Sequence, residues 1–171
     1  MPTVAPAAPV VRARAPYENW RPPIIGVTVL VPVGADELLT ADATDCGCLV
    51  LPTGAVEEGQ TPEQAAQFVL PGAHNGLPVL RRVAVDQVQM RRRKVITHLV
   101  VTSPLTHEDA AVLTYRDPRA VLRVLPTTRT IADLPERARA RALLGLQALA
   151  IGVMAYVEDG TVQRVESVSA A

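Results

Sequence analysis

Clusters of β-branched residues separated by turn residues predict most of a sheet. Residues 24–33 are almost continuously apolar, which is typical of a buried strand. Residues 77–89 and 94–102 flank a charged turn and together predict a long hairpin. Further strands are expected at 38–40, 47–51 and 120–125. The core contacts predicted for the first strand of the hairpin are Leu80, Val83, Val85 and Val88.

A short helix is predicted between residues 61 and 70. Thr61 is suited to the N-cap, Pro62 to the first helical position and Gln64 to the third position of a capping box. A Pro-Gly pair follows, and because proline cannot continue a helix, we expect this one to end near Leu70.

A longer helix is predicted to begin at 133–136, where Asp133 provides a cap and Glu136 follows three positions later. We expect it to end between residues 156 and 160. Apolar residues at helical spacing predict its buried stripe. The stripe consists of Leu143, Leu146, Leu149, Ala150 and Val153. Several strands, one helix in the middle and one near the end indicate an α+β sandwich.

The chain of 171 residues is long enough for one domain with tails. Residues 1–16 show no usable period and are predicted to be a disordered tail. The domain is expected to span residues 17–160. Residues 161–171 are predicted to be a polar tail, with a short strand at 162–168 as the alternative.

Charge and hydropathy exclude some classes of protein. The formal net charge is zero, so no overall basic field favours nucleic-acid binding. No apolar run is long enough to span a membrane. The N-terminal arginines follow the apolar stretch at 4–11 instead of preceding it, which argues against a signal peptide. We therefore expect a cytoplasmic protein without a membrane partner.

The two cysteines, Cys46 and Cys48, are one residue apart. Extended chain would point their side chains to opposite sides, which disfavours a disulfide between them. No second pair of cysteines or histidines completes a zinc site. Both are predicted to be small buried strand residues.

The most specific motif lies at residues 51–70. A glycine loop follows a predicted strand and leads through Gly-Gln-Thr-Pro-Glu-Gln-Ala-Ala at 59–66 into the short helix. The segment from Gly54 to Gly76 resembles a Nudix box, the loop and helix by which Nudix hydrolases hold a metal-bound diphosphate. The resemblance implies a Nudix-like α/β/α sandwich with a mixed central sheet, one short box helix and a long C-terminal helix.

The acidic half of that box is degenerate. The family pattern reads Gly, five residues, Glu, seven residues, Arg-Glu, an aliphatic residue, one residue and Glu-Glu. Counted from Gly54, its four acids fall on Gln60, Val69, Gly72 and Ala73. Carboxylates would hold the Mg²⁺ or Mn²⁺ that offsets the diphosphate charge and activates water. The resemblance therefore disfavours Nudix-type hydrolysis, and we expect no catalytic residue, metal site or cofactor.

Five side chains are candidates for contacting a ligand in the Nudix-like cleft. Two acids lie in the loop beside the glutamine that replaces the first box acid, and one histidine lies where the last acids would be. One arginine of the Arg-Arg pair is expected to face the cleft, since neighbouring strand residues face opposite sides. The candidates are Glu57, Glu58, Gln60, His74 and Arg82. His98 is instead predicted to be a hydrogen-bonded sheet residue.

Three functions follow from these residues and the resemblance. The favoured one is a pseudoenzyme, a non-catalytic ligand-binding or regulatory protein that holds a small molecule in the cleft. The second is a divergent or repurposed enzyme acting on a nucleotide-like or phosphorylated small molecule, for which Mg²⁺ or Mn²⁺ would be the cofactor. The third is a structural dimerisation module, with a homodimer as the assembly.

Overall fold

A computed structural model describes residues 21–43 and 47–168. The predicted tail at 1–16 lies outside the described residues. The strands are β1 (Ile24–Leu30), β2 (Pro32–Val33), β3 (Glu37–Ala43), β4 (Cys48–Val50), β5 (Thr53–Ala55), β6 (Val79–Met90), β7 (Arg93–Thr102), β8 (Val121–Pro126), β9 (Val153–Glu158) and β10 (Thr161–Ser167). The helices are α1 (Pro62–Val69), α2 (His107–Ala111), α3 (Thr127–Asp133) and α4 (Glu136–Ala150).

A mixed six-stranded sheet forms the centre of the domain. Its strand order is β10-β9-β6-β7-β1-β5. The β1–β7 and β6–β9 pairs are parallel, and the other neighbours are antiparallel. The predicted hairpin is confirmed as β6 and β7. A smaller antiparallel sheet pairs β3 with β2 and β4 on one side and with β8 on the other.

The two faces of the central sheet are covered by different helices. α1 packs on β1, β5, β6 and β7, whereas α4 packs on β6, β7 and β9. Side chains alternate between these faces. Val29 and Val100 belong to the core beneath α1, while Leu30, Leu99 and Val101 belong to the core beneath α4. The expected α/β/α sandwich with a mixed sheet is confirmed.

The last part of the chain differs from the sequence prediction. α4 ends at Ala150, and the residues expected to extend it form β9. Its N-cap is Pro135, without a side-chain hydrogen bond, because Asp133 ends the separate helix α3. The alternative of a strand near 162–168 agrees with β10. The short helix α3 was not expected.

The buried stripe of α4 also differs from the predicted one. Its fully buried residues are Ala142, Gly145 and Ala148, while Leu143 is 41% exposed. A Cβ atom placed on Gly145 would overlap the side chain of Leu30. Small residues therefore let the helix approach the sheet closely, which a count of leucines at helical spacing does not detect.

Two polar contacts fasten α4 to the sheet. Arg141 donates from Nε to Oδ2 of Asp86 on β6 over 2.6 Å, and both side chains are largely buried. At the other end, Arg81 donates to the carbonyl oxygens of Ala148 and Val153 over 3.1 and 2.8 Å. An arginine on the last carbonyl groups of a helix satisfies acceptors that have no partner within the helix.

Two β-bulges in β6 change which of its residues are buried. Register shifts fall between Val79 and Arg81 and between Arg82 and Ala84. Leu80 is consequently 54% exposed, so its prediction as a core residue is wrong, whereas the other three predicted contacts are buried. The strand thereby places Arg81 on the α4 face and Arg82 on the α1 face.

Cys48 opens β4, is half-buried and is disulfide-bonded. The inference from extended geometry that a disulfide is disfavoured is therefore wrong for this residue. Cys46 lies outside the described residues.

Among the described residues, no helix has both the length and the apolar character that crossing a membrane would require.

Replacing Gly145 with valine should destabilise the fold by about 1–3 kcal/mol, because the added atoms overfill the contact between α4 and the sheet. Urea unfolding would measure the loss. The matched control is Ala140→Val on the exposed side of the same helix, which should cost well under half as much. Equal losses in the two variants would contradict the close-packing account.

Candidate functional site

The motif helix α1 begins as its sequence predicts. The Thr61 side chain accepts a hydrogen bond from the Gln64 backbone N–H over 3.1 Å, and Gln64 Oε1 accepts one from the Thr61 N–H over 2.9 Å. Pro62 occupies the first helical position. This capping box holds the start of the helix against the preceding loop.

Gln60 organises that loop from within. Its Oε1 atom accepts a hydrogen bond from the Glu57 N–H over 3.2 Å, and its own N–H donates to the Glu57 carbonyl over 3.1 Å. The amide oxygen therefore closes a short turn at the position where the Nudix pattern has a carboxylate. Gln60 thus supports the loop from within.

The loop and the outer side of α1 enclose a shallow cavity of about 550 Å³, here called the loop–helix cavity. Its lining residues are Glu57, Glu58, Gly59, Gln60, Gln64, Gln67 and Phe68. Glu57 and Glu58 are exposed, and neither carboxylate has an ion-pair partner among the described residues. Phe68 is 70% exposed, so an aromatic ring lies at the cavity's edge. The cavity is therefore acidic and partly aromatic.

The other positions of missing acids serve packing. Val69 is 1% exposed and lies in the core beneath α1. Gly72 has φ of 114°, and a Cβ atom there would overlap the Val112 carbonyl oxygen. Ala73 packs against the same core. A carboxylate side chain at position 69 or 72 would disturb the contacts made there.

A strand-like segment after α2 holds this turn in place. The Pro71 carbonyl accepts from both the N–H and the hydroxyl of Thr114, over 2.8 and 3.2 Å. The Arg116 N–H donates to the Val69 carbonyl over 3.1 Å. The end of α1 is thus bonded to residues far along the chain, and the helix stops where its proline predicted.

The residues present do not fit a Mg²⁺ or Mn²⁺ ion of the Nudix type. Such ions bind carboxylate oxygens in a compact set. Within residues 21–43 and 47–168, no group of three or more His, Cys, Asp or Glu side chains is arranged to hold a metal ion. The box positions offer one amide, one valine, one glycine and one alanine.

A second polar cluster lies between α1 and the sheet. Arg82 donates from Nε and Nη2 to the two carboxylate oxygens of Glu63, over 3.1 and 3.4 Å. Both side chains are about one third exposed. His98 on β7 lies near this pair, and its Nδ1 atom is buried without a hydrogen-bond partner in the described structure. The prediction that His98 is fully hydrogen-bonded is wrong for that atom.

The cluster shifts two pKa values. Burial lowers the pKa of His98 from its usual 6.5, and the positive charge of Arg82 lowers it further, while Glu63 opposes both. Burial alone would raise the pKa of Glu63. Hydrogen bonds from its own backbone and from Arg82, together with the charge of Arg82, lower that pKa on balance. At neutral pH the cluster therefore holds an ion pair beside a neutral imidazole.

The five candidate ligand contacts do not form one site. Glu57, Glu58 and Gln60 meet in the loop–helix cavity. Arg82 lies in the cluster with Glu63, and two of its donors are engaged there. His74 is exposed in the turn after α1 and does not line the cavity.

Two residues of the site, Glu63 and Phe68, are not among the residues predicted from the sequence. Glu63 belongs to the predicted helix start, and an acid in the first turn of a helix is a natural partner for an arginine on a neighbouring strand. Phe68 stands where the family has arginine and is the only phenylalanine of the chain. An aromatic residue at that position was the signal that could have placed it at the cavity.

Solved structures share this architecture. A Nudix hydrolase from Nitrosomonas europaea matches with a TM-score of 0.55 and 14% identity, over 81% of this chain and 78% of that one. The MutT protein from Methanosarcina mazei gives 0.55 and 14%, over 76% and 95%. The chain has the Nudix fold. RenU, a Nudix hydrolase from M. smegmatis, likewise gives 0.55 and 21%, over 76% and 86%.

No family model and no curated protein matches the sequence. The likeness to these proteins is therefore one of fold, and it is shown by the three-dimensional arrangement.

Substituting His98 by glutamine should reduce the loss of stability on mild acidification. In the wild type, the unfolded chain takes up a proton near pH 6.5, whereas folded His98 resists protonation to a lower pH. Stability then rises with pH across this window and falls as the pH drops below 6.5. Urea unfolding from neutral pH down to about pH 5 would measure the slope. His74→Gln, at an exposed site, is the control and should keep the wild-type slope.

Substituting Gly72 by alanine should destabilise the protein by about 2–4 kcal/mol, because its positive φ and the contact with Val112 exclude a side chain. Gly59→Ala provides the comparison, since Gly59 has φ of 80° but no atom near its Cβ position. That change should cost only about 1 kcal/mol. Chemical denaturation of both variants would show whether contact, and not φ alone, sets the cost.

Proposed function

We propose that this protein is a ligand-binding or regulatory member of the Nudix fold that does not hydrolyse diphosphates. The proposal rests on one observation: the residues at the box positions that lack an acid have structural roles. Gln60 closes a turn, Val69 fills the core, and Gly72 contacts backbone. These roles occupy the positions that would otherwise assemble a metal-diphosphate site.

The charge of the loop–helix cavity supports a different class of ligand. Glu57 and Glu58 have no ion-pair partner among the described residues, and without a bound cation they would repel a diphosphate. A ligand with a positive or hydrogen-bond-donating group and a flat ring suits these carboxylates and the exposed ring of Phe68. We therefore assign the cavity to a small organic cation or polar aromatic compound.

A divergent hydrolase is the second candidate. The exposed pair Glu57 and Glu58 favours it, because these acids lie beside the first box position and are not engaged elsewhere in the described structure. The solved neighbours titled as Nudix hydrolases favour it as well. In that case Mg²⁺ or Mn²⁺ would be recruited by the loop and by the substrate itself.

Hydrolysis separates the two candidates. We expect no turnover above background when the full chain is incubated with Mg²⁺ or Mn²⁺ and a panel of nucleoside diphosphate derivatives, with the nucleoside monophosphate product separated by chromatography as the readout. Metal-dependent turnover that disappears in a Glu57→Gln/Glu58→Gln variant would overturn the proposal in favour of the hydrolase.

Ligand binding is tested by thermal shift with a panel of aromatic amines and uncharged aromatic amides. A ligand that prefers the folded state raises the melting temperature. We expect a shift in the wild type that is lost in Phe68→Ala and in Glu57→Gln/Glu58→Gln, and retained in the Glu108→Gln control on α2. A shift that survives both cavity variants would place the ligand elsewhere and remove this assignment.

A further inference from the structure

One long edge of the central sheet pairs with no further strand among residues 21–43 and 47–168. β10 is its terminal strand, and all seven of its residues are exposed. The opposite edge is the three-residue strand β5. Edge strands are commonly protected by proline, lysine or a covering helix. β10 contains neither proline nor lysine, its one bulge lies in its first half, and α4 packs mainly over β6, β7 and β9.

The free hydrogen-bonding groups of β10 can be located from its pairing with β9. The Val168 N–H donates to the Gly152 carbonyl, so it points towards β9. Because N–H groups alternate sides along a strand, those of Glu166 and Arg164 point the same way. The N–H and carbonyl groups of Val165 and Ser167 then face outward. A bulge between Val162 and Arg164 leaves the stretch from residue 164 as the regular part of the edge.

The side chains on this regular stretch are ordered before any partner arrives. Arg164 lies over the Tyr156 ring, 4.2 Å from its centre, and forms an ion pair with Glu166 over 3.1 Å. The Tyr156 hydroxyl donates to the other oxygen of Glu166 over 3.0 Å. On the opposite face, Val165 is 52% exposed. The edge thus presents an apolar face and a charged face in fixed positions.

We propose that β10 pairs antiparallel with β10 of a second copy, with the twofold axis through Val165, to form a continuous sheet across a homodimer. Residues directly opposite each other in such a pair have side chains on the same face of the sheet. Because side chains alternate between faces along each strand, the axis must lie at a residue that faces its own copy, and not between two residues. With the axis at Val165, the outward groups of the two valines bond each other, and Arg164 lies opposite the partner's Glu166. An axis at Arg164 or at Glu166 would place like charges opposite each other, which is destabilising.

Exposed apolar side chains beside β10 also favour a second copy of the chain as its partner. A cavity of about 770 Å³ opens between α4 and the β9–β10 hairpin, and its lining includes Leu143 and Val162. These side chains are 41% and 49% exposed. A second strand joined at β10 would lie beside the Val162 side of this cavity and reduce the exposed apolar area there, which favours association.

Charge reversal tests the register. Arg164→Glu places Glu opposite Glu, and Glu166→Arg places Arg opposite Arg, so each variant alone should dissociate at least about tenfold more readily than the wild type. Mixing the two variants restores opposite charges in both pairs and should produce a heterodimer. Analytical ultracentrifugation over a wide concentration range would give the masses. Arg129→Glu, at an exposed ion-paired arginine of α3, is the matched control and should dimerise like the wild type.

Hydrogen exchange locates the interface independently. The amide of Val165 should be protected in the wild type and exposed in Arg164→Glu, while the Val168 amide stays protected in both. A wild type that is monomeric up to its solubility limit would overturn the proposal. So would a dimer that both single variants leave intact, or variants that fail to associate on mixing although each melts cooperatively.

Discussion

Burial of the central sheet on both faces is the constraint on which the rest of the structure depends. Its inner strands must be apolar in consecutive positions, because one face meets α1 and the other meets α4. β1 and β7 satisfy this with Val and Leu at neighbouring positions. Two pairs of polar groups fasten the layers together, Arg141 with Asp86 and Arg81 with the end of α4, whereas Nδ1 of His98 is buried without a partner in the described structure.

The same constraint explains the residues that the motif helix α1 and its flanking turns contain. A helix that covers a buried sheet needs apolar residues on its inner face and a fixed entry and exit. Thr61 and Gln64 fix the entry, and Thr114 and Arg116 fix the exit by bonding the turn that follows. Val69 contributes to the core. The half of the motif that matches the Nudix pattern supports folding, and Val69 and Gly72, at two box positions without an acid, take part in the packing.

The sequence predicted the elements whose signals are local. The long hairpin, the capped start of α1 and its end before Pro71 all follow from short stretches of residues, and the fold class follows from their order. The predictions were wrong where contacts between residues far apart in the sequence determine the structure. Gly145 is constrained by side chains of the sheet, above all Leu30. Leu80 is exposed by bulges in β6, and Asp133 ends α3 instead of beginning α4. Likewise, Arg82 was a predicted contact, but its pairing with Glu63 depends on how α1 lies over the strand.

The contact between Gly72 and Val112 limits the mutational paths open to this protein. A single codon change at position 72 introduces a side chain where there is no room, whatever chemistry that side chain offers. A side chain could be accommodated there only if the segment after α2 moved, and that segment is held by hydrogen bonds to the turn. Position 72 is therefore constrained by residues that lie about forty positions further along the chain.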